Sequence, residues 1–398
     1  MRAGWPDSPR LSWWDSLWRR FWTLPMVIAS VSLLLGLALP AVDAAIEQTP
    51  GWVFQGGVDG ARSLLGTIAG AMISVTGLVF SITIVVLQLA SSQFSPRILA
   101  SFLESRIVQL TLGFFTGSFL YALTVLRAVR GGEEGRVPQL AVTASYVYVI
   151  VAVAMFLAFI HHITTSVQVS QVMADVRHRT LATARRLSSD SSGPTWSPRP
   201  GTTRVDLLLD ERTGYVTALD AAGLAAVARD LDAVVELDVT PGQHLAAGEP
   251  VGRVWGCDAS DDSRDRVLAC LTVSRERQIG GDAGFGIRQL LDIADRALSP
   301  GVNDPTTAIQ AVNELHVILR VLVQQSDPSP YLVTEGAVRA VYRPQRYTAL
   351  LEDTVAELRH YARDAPRVLD RLQEVLEDLV TVARPEHRAS TEAALAAC

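Results

Sequence analysis

Apolar positions crowd the first part of the chain, and the 25 residues from Gly66 to Ala90 carry no charge. As a helix, this run reaches roughly 37 Å, more than the roughly 30 Å hydrocarbon core of a bilayer. Within it and just beyond it, polar residues return every seven positions: Ser74, Ser81, Gln88 and Ser95, with Thr76 and Thr83 at the same spacing. A seven-residue repeat places one residue type on one stripe of a slightly supercoiled helix. The stripe reads in two ways. The plainer is a seam that joins helices through Ser and Gln hydrogen bonds. The other is a lining, in which several copies enclose a polar route.

The same pattern predicts three further spans, and the four together cover about 22–42, 66–90, 107–126 and 139–160. A cleaved signal peptide competes for the first. Its apolar run is longer than the usual signal core, and the segment before it is too aromatic. Residues 1–21 precede the spans; Leu11, Trp14, Trp18 and Phe21 lie at helical spacing beside Arg19 and Arg20, which predicts an interfacial helix. Residues 43–60, with Asp43, Glu47 and Asp59, read as an acidic loop. Gly66/Gly70 and Gly113/Gly117 are GxxxG steps that let a second helix approach closely. Ser95-Pro96 is a good helix start and predicts an elbow after the second span.

Beyond the membrane domain at 22–163, the pattern changes. Residues 164–203 read as a helix extension and a Ser/Pro/Gly linker, 204–256 as a small β-rich module, and 257–398 as a helical domain. Val205–Leu209 and Tyr215–Leu219 read as strands, with turns at Pro241-Gly242 and around Gly248. The segment AVVELDVTPGQHLAAGEPVGRVW resembles the hairpin of barrel-sandwich (biotinyl/lipoyl-like) domains in shape. The fold class expected is therefore membrane α-helical, with four transmembrane helices and a cytoplasmic α+β region.

Charge sets the orientation. With the N-terminus inside, Arg10, Arg19, Arg20, Arg97, Arg106, Arg177, Arg179, Arg185 and Arg186 fall on the cytoplasmic side, and Arg62, Arg127, Arg130 and Arg136 outside. That asymmetry predicts both termini in the cytoplasm. All 35 basic residues are arginine, so a Walker A loop, a Schiff base and a lipoyl or biotinyl attachment are excluded. A net charge of −6 without a basic run argues against nucleic acid. Three cysteines, none in a CxxC pair, make neither a disulfide framework nor a zinc site.

Candidate chemistry is sparse. His161 and His162 stand where the fourth span meets the cytoplasm, as interfacial polar residues or as a pH-sensing or metal-binding pair. Asp282, Arg288, Asp292, Asn303 and Asp304 surround the turn SPGVNDP and form the candidate cytoplasmic ligand site; Asp295 and Arg296 lie close by. Capping and ion pairing account for the same residues, and Asp304 is placed as an N-cap with Pro305 in the first turn. HExxH, GxSxG and phosphate-cradling loops are absent, so neither catalytic residues nor a cofactor are expected.

LQLASSQFSPR (87–97), FIHH (159–162), FGIRQLLDIADRALSPGVNDPTTA (285–308) and ELRHYARD (357–364) together resemble the signature blocks of domain-of-unknown-function family 2254, bacterial predicted membrane proteins. RQIGGDAGFG departs from the family pattern, which more often has a Thr/Gln-Asp combination before its Phe-Gly. The resemblance implies topology and bacterial origin, and assigns no activity. The functional expectation is an oligomeric, channel-like conduit in the plasma membrane, gated by its cytoplasmic domain. The alternative is a non-conducting anchor or sensor. The lipid bilayer and further copies of the chain are the expected partners.

Overall fold

The structure is a computed structural model describing residues 21–45, 51–93, 105–129, 137–166, 168–187, 194–258 and 260–398. The expected interfacial helix before residue 21, Ser95 with its elbow, and the turn at 130–136 lie outside the described residues. The chain divides into two compact units, meeting in sequence at Gln168 and Val169.

The first unit consists of α1 (Thr23–Ala45), α2 (Val58–Gln93), α3 (Arg106–Ala128) and α4 (Gln139–Ser166). Each is long and apolar enough to cross a membrane. α3 packs against the other three. It is also the least apolar, with a mean hydropathy of 1.4 against 2.1 to 2.3 for the rest. Its buried face holds Gln109, Thr111 and Ser118 among Leu112, Phe115, Tyr121 and Val125. The outer helices turn large apolar side chains away from the bundle: Leu34 and Leu37 on α1, Leu78 and Val85 on α2, Ile150 and Leu157 on α4.

Small residues let α1 and α3 close up. A Cβ on Gly113 would lie 2.7 Å from Ile28 Cδ1, and one on Gly117 would lie 2.5 Å from Ser32 Oγ. This GxxxG step is thus used inside one chain. Gly66 and Gly70 on α2 have nothing among the described residues within 4 Å of such a Cβ.

The expected acidic loop at 43–60 is shorter than predicted. Asp43 belongs to α1 and is buried, and Asp59 sits in the first turn of α2, where a negative charge suits the helix dipole. Asp43 accepts from the N–H groups of Leu140 at 3.0 Å and Ala141 at 2.9 Å. Those donors open α4 and would otherwise lack partners. A side chain 97 residues away therefore caps the fourth helix. Tyr121 fixes the same turn by donating to Ala141 O at 2.7 Å.

The second unit begins with α5 (Val169–Leu187) and holds two sheets and seven further α-helices among its described residues. The strands are β1 (Arg204–Leu208), β2 (Gly214–Leu219), β3 (Val234–Leu237), β4 (His244–Leu245), β5 (Pro250–Trp255), β6 (Leu271–Ser274), β7 (Tyr331–Thr334) and β8 (Ala337–Val341). One sheet runs β1-β5-β3-β8-β7 and the other β4-β2-β6. The β region thus reaches past 204–256: β6, β7 and β8 all come from residues expected in the helical domain. β8 lies parallel to β3, with Val235 opposite Ala340.

The helices are α6 (Ala221–Asp230), α7 (Asp261–Ala269), α8 (Ala283–Ala297), α9 (Pro305–Leu322), α10 (Tyr347–Tyr361), α11 (Pro366–Val382) and α12 (Pro385–Ala397). α6 packs on β8, while α8 packs on α5, α9 and α10. The α5–α8 crossing is tight, since a Cβ on Gly286 would fall 1.8 Å from Thr180 Oγ1.

Two substitutions test the first unit. Gly113→Leu should lower its stability by about 1–3 kcal/mol through overpacking, read as thermal unfolding of the monomer in detergent. Gly66→Leu meets only open space and should leave that unfolding unchanged. Asp43→Ala strips two N–H groups of their acceptor and should cost about 1–2 kcal/mol in the same assay.

Candidate functional site

α8 begins at a buried carboxylate. Asp282 is 1% exposed and caps the helix, its Oδ1 accepting from Phe285 N at 2.9 Å. Oδ2 pairs with Arg277, at 2.7 Å from Nη2 and 2.9 Å from Nε. The same guanidinium stacks over the Phe285 ring at 5.1 Å. Gln345 Nε2 donates to Asp282 Oδ1 at 2.6 Å and to Pro241 O at 3.1 Å, while its Oε1 accepts from Gly284 N.

Pro241 opens a tight turn in which Gln243 N donates to Thr240 O at 3.1 Å. Gly242 takes φ +82°, which disfavours any side chain, and a Cβ there would sit 2.1 Å from Asp282 Oδ2. The sheet region, the start of α8 and the segment before α10 therefore meet on one carboxylate. The N-terminus of α8 already has its anion and its acceptors, so it offers no free anion site.

One and a half turns on, Arg288 gathers three carboxylates. Its Nε donates to Asp292 Oδ1 at 2.6 Å, Nη2 reaches Asp295 Oδ2 at 3.3 Å, and Nη1 donates to Glu357 on α10. The Asp292 and Glu357 carboxylates hold the guanidinium pKa above its ordinary value, against the burial that alone would lower it. A cleft of about 560 Å³ opens between α8 and α10, with Ile287, Leu291 and Leu350 as apolar lining and Asp353, His360 and Tyr361 among its polar and aromatic residues.

Of the five residues expected to share a ligand site, only Arg288 and Asp292 touch. Asp282 stands at the other side of Arg288, engaged with Arg277. Asn303 and Asp304 lie beyond the far end of α8, which is about 22 Å long. There Asn303 adopts φ +49° and closes the turn by donating its N–H to Ser299 O at 2.9 Å. Asp304 caps α9 as expected, accepting from the N–H groups of Thr306 and Thr307, each at 3.1 Å. The Thr307 hydroxyl, donating to it at 2.6 Å, holds its pKa below the usual carboxylate value.

Three contributors went unsingled in the sequence. Glu357 lies inside the ELRHYARD block, which was a usable signal. Arg277 opens RQIGGDAGFG, the segment that departs from the family pattern, and Gln345 follows no pattern that marks it.

On α2, Ser74, Ser81 and Gln88 are exposed. Ser63, Thr67, Gly70 and Gly77 share their face, opposite the buried Leu65, Met72, Val79 and Val86. Thr76 and Thr83 turn the other way and donate to Met72 O and Val79 O. His161 is exposed, while His162 contacts Ser105 Oγ at 2.7 Å beside the start of α3. Among the described residues no group of three or more His, Cys, Asp or Glu could hold a metal ion.

Asp282→Ala would strip Arg277 of its partner and leave the first turn of α8 uncapped. It should lower stability by roughly 2–3 kcal/mol, since Arg277 keeps partial access to water. Denaturant unfolding of the purified protein checks this.

The family model for predicted membrane proteins of domain-of-unknown-function 2254 matches residues 18–378. Uncharacterized protein Rv1290c of Mycobacterium tuberculosis is 32% identical over 380 residues, covering 91% of this chain and 72% of its own length. Uncharacterized protein Mb1321c of Mycobacterium bovis matches to the same extent. No solved structure matches the chain. Four apolar helices and a family match over most of the sequence lead to one statement: the chain belongs to the predicted membrane protein family DUF2254.

Proposed function

We propose that this protein is an oligomeric conduit of the bacterial plasma membrane, lined by α2 and gated from its C-terminal unit. Both termini face the cytoplasm in this reading, and the protein carries no catalytic activity and binds no nucleic acid. The observation that supports it is the direction of the α2 stripe. Ser63, Thr67, Gly70, Ser74, Gly77, Ser81 and Gln88 run along the face that turns away from the chain's own helices. Facing hydrocarbon, the Thr67 and Ser74 hydroxyls keep only the bond back to their own helix, and their acceptor sites and the Gln88 amide forgo hydrogen bonds. Facing other copies, they find partners or enclose water.

The Ser74 hydroxyl donates to Gly70 O at 2.8 Å, which leaves its lone pairs open to a passing solute or a neighbour. α1 to α4, as described, contain Asp43, Asp59, Arg62, Arg106 and Arg127 towards their ends and no charge in the middle of any span. A passive route suits that composition better than ion-coupled transport, which commonly uses ionisable groups in the membrane.

Gating from the C-terminal unit is supported by α5. It follows α4 after only residues 167 and 168 and is fastened within its own unit. Thr183 donates to Ile279 O at 2.9 Å, Arg186 donates to Gly280 O at 2.9 Å, and Arg177 pairs with Glu314 at 2.8 Å.

A second reading rests on Gly66 and Gly70. Their open surface suits close helix packing, and a partner helix seated there would use up the stripe and leave a non-conducting anchor.

Planar-bilayer recording with single cysteines at positions 74 and 81, in protein freed of its native cysteines, separates the two. A conduit should conduct and lose current when a small charged thiol reagent is added, while a cysteine at the buried Val79 position should not respond. No conductance, together with a dimer or oligomer that Gly70→Leu dissociates, would overturn the conduit and leave the anchor. A reporter active only outside the cytoplasm, fused after Cys398, should stay silent; activity there would reverse the orientation.

A further inference from the structure

At the contact between α8 and α10 one guanidinium gathers three carboxylates. Arg288 faces Asp292, Asp295 and Glu357 together. Asp295 and Glu357 take the two terminal nitrogens of that guanidinium, Nη2 and Nη1, which sets their carboxyls side by side. Two ionised carboxylates have no proton to donate and repel, so that contact is favourable only with a proton between them. Asp295 Oδ1 is enclosed and accepts from no donor among the described residues. An ionised oxygen in that position would be poorly compensated, and a protonated one fits. We propose that a proton shared by Asp295 and Glu357 is the latch that holds α10 against α8, and that losing it opens the cleft between the two helices.

Burial, and after it the adjoining Glu357 carboxyl, pushes the Asp295 pKa up to about 8, with Arg288 pulling the other way. In an open cleft the same carboxyl would titrate near about 4. The closed form therefore holds a proton that the open form releases. Its stabilisation is complete below about pH 4, erodes as pH rises, and is gone once pH passes about 8.

Other charged and titratable groups stand around the pair. Arg288 and Asp292 act on the pair from α8. Arg277 lines the cleft but is committed to Asp282. Asp353 and His360 line it from α10 and are exposed. On the elements packed behind α8, Arg177 of α5 and Glu314 of α9 pair with each other. On α12, packed on α10, His387 stacks on Tyr347 and bonds Gln325 O at 3.0 Å.

Opening would bare Leu291 and Leu350, apolar residues that already line the cleft. The latch would thus convert a change in proton concentration into an exposed apolar groove. It does not depend on whether the first unit conducts.

Amide hydrogen exchange on the full chain in lipid nanodiscs, corrected for intrinsic rates, tests this through residues 347–361. Opening of α10 should rise by up to about tenfold per pH unit between about pH 5 and 8 and level off above that. Glu357→Gln supplies a permanent amide donor to Asp295 and should flatten the dependence. A flat profile in the native protein, or an unchanged slope in Glu357→Gln, would overturn the latch. Should the variant fail to fold, infrared difference spectra of the native protein decide. The band of a protonated carboxylic acid should fade between about pH 6 and 9, and its absence at the lower pH would equally overturn the proposal.

Discussion

A buried carboxylate has to be satisfied from every side, and Asp282 shows how much structure that demand organises. Its charge is met by Arg277, its remaining acceptor sites by Gln345 and a helix N–H, and the space beside it is left open by a glycine that bears no side chain. Removing any of these partners exposes a charge that water cannot reach. The requirement ties together segments near residues 242, 282 and 345, which otherwise belong to a sheet, a helix and a connector. α8 then starts at a fixed point, and that fixes the phase at which Arg288, Asp292 and Asp295 emerge from it.

Local rules were readable in the sequence wherever one residue type answers one backbone need. Pro241-Gly242 is a turn because proline presets one dihedral and glycine tolerates the other. Asp304-Pro305 starts a helix because a carboxylate accepts its first N–H groups and proline lacks one. The four spans follow from length and apolarity alone.

What periodicity conceals is direction. Ser74 and Thr76 share a seven-residue spacing with their successors, yet one series faces outward and the other inward, because spacing does not say which side the chain covers. Gly66/Gly70 and Gly113/Gly117 spell the same step, and among the described residues only the second is occupied by another helix. Long-range pairings were also invisible. Asp43 reaches α4, Glu357 reaches Arg288 and β8 joins β3, each across a gap that no local pattern spans. The ligand site expected around SPGVNDP came apart for a related reason: residues close in sequence sit at opposite ends of one rigid helix.

The central position of α3 bears on how the first unit is made. Segments leaving the translocation machinery partition into lipid one after another according to their own apolarity. α3 is the weakest candidate of the four, and its Gln109, Thr111 and Ser118 are shielded only once its neighbours are in place. α1 and α2 precede it in synthesis; α1 presents the surface that receives Gly113 and Gly117, and α2 packs on α3 as well. The order of the helices along the chain is therefore also an order of assembly, in which two stronger insertion signals wait as a receptacle for the weakest.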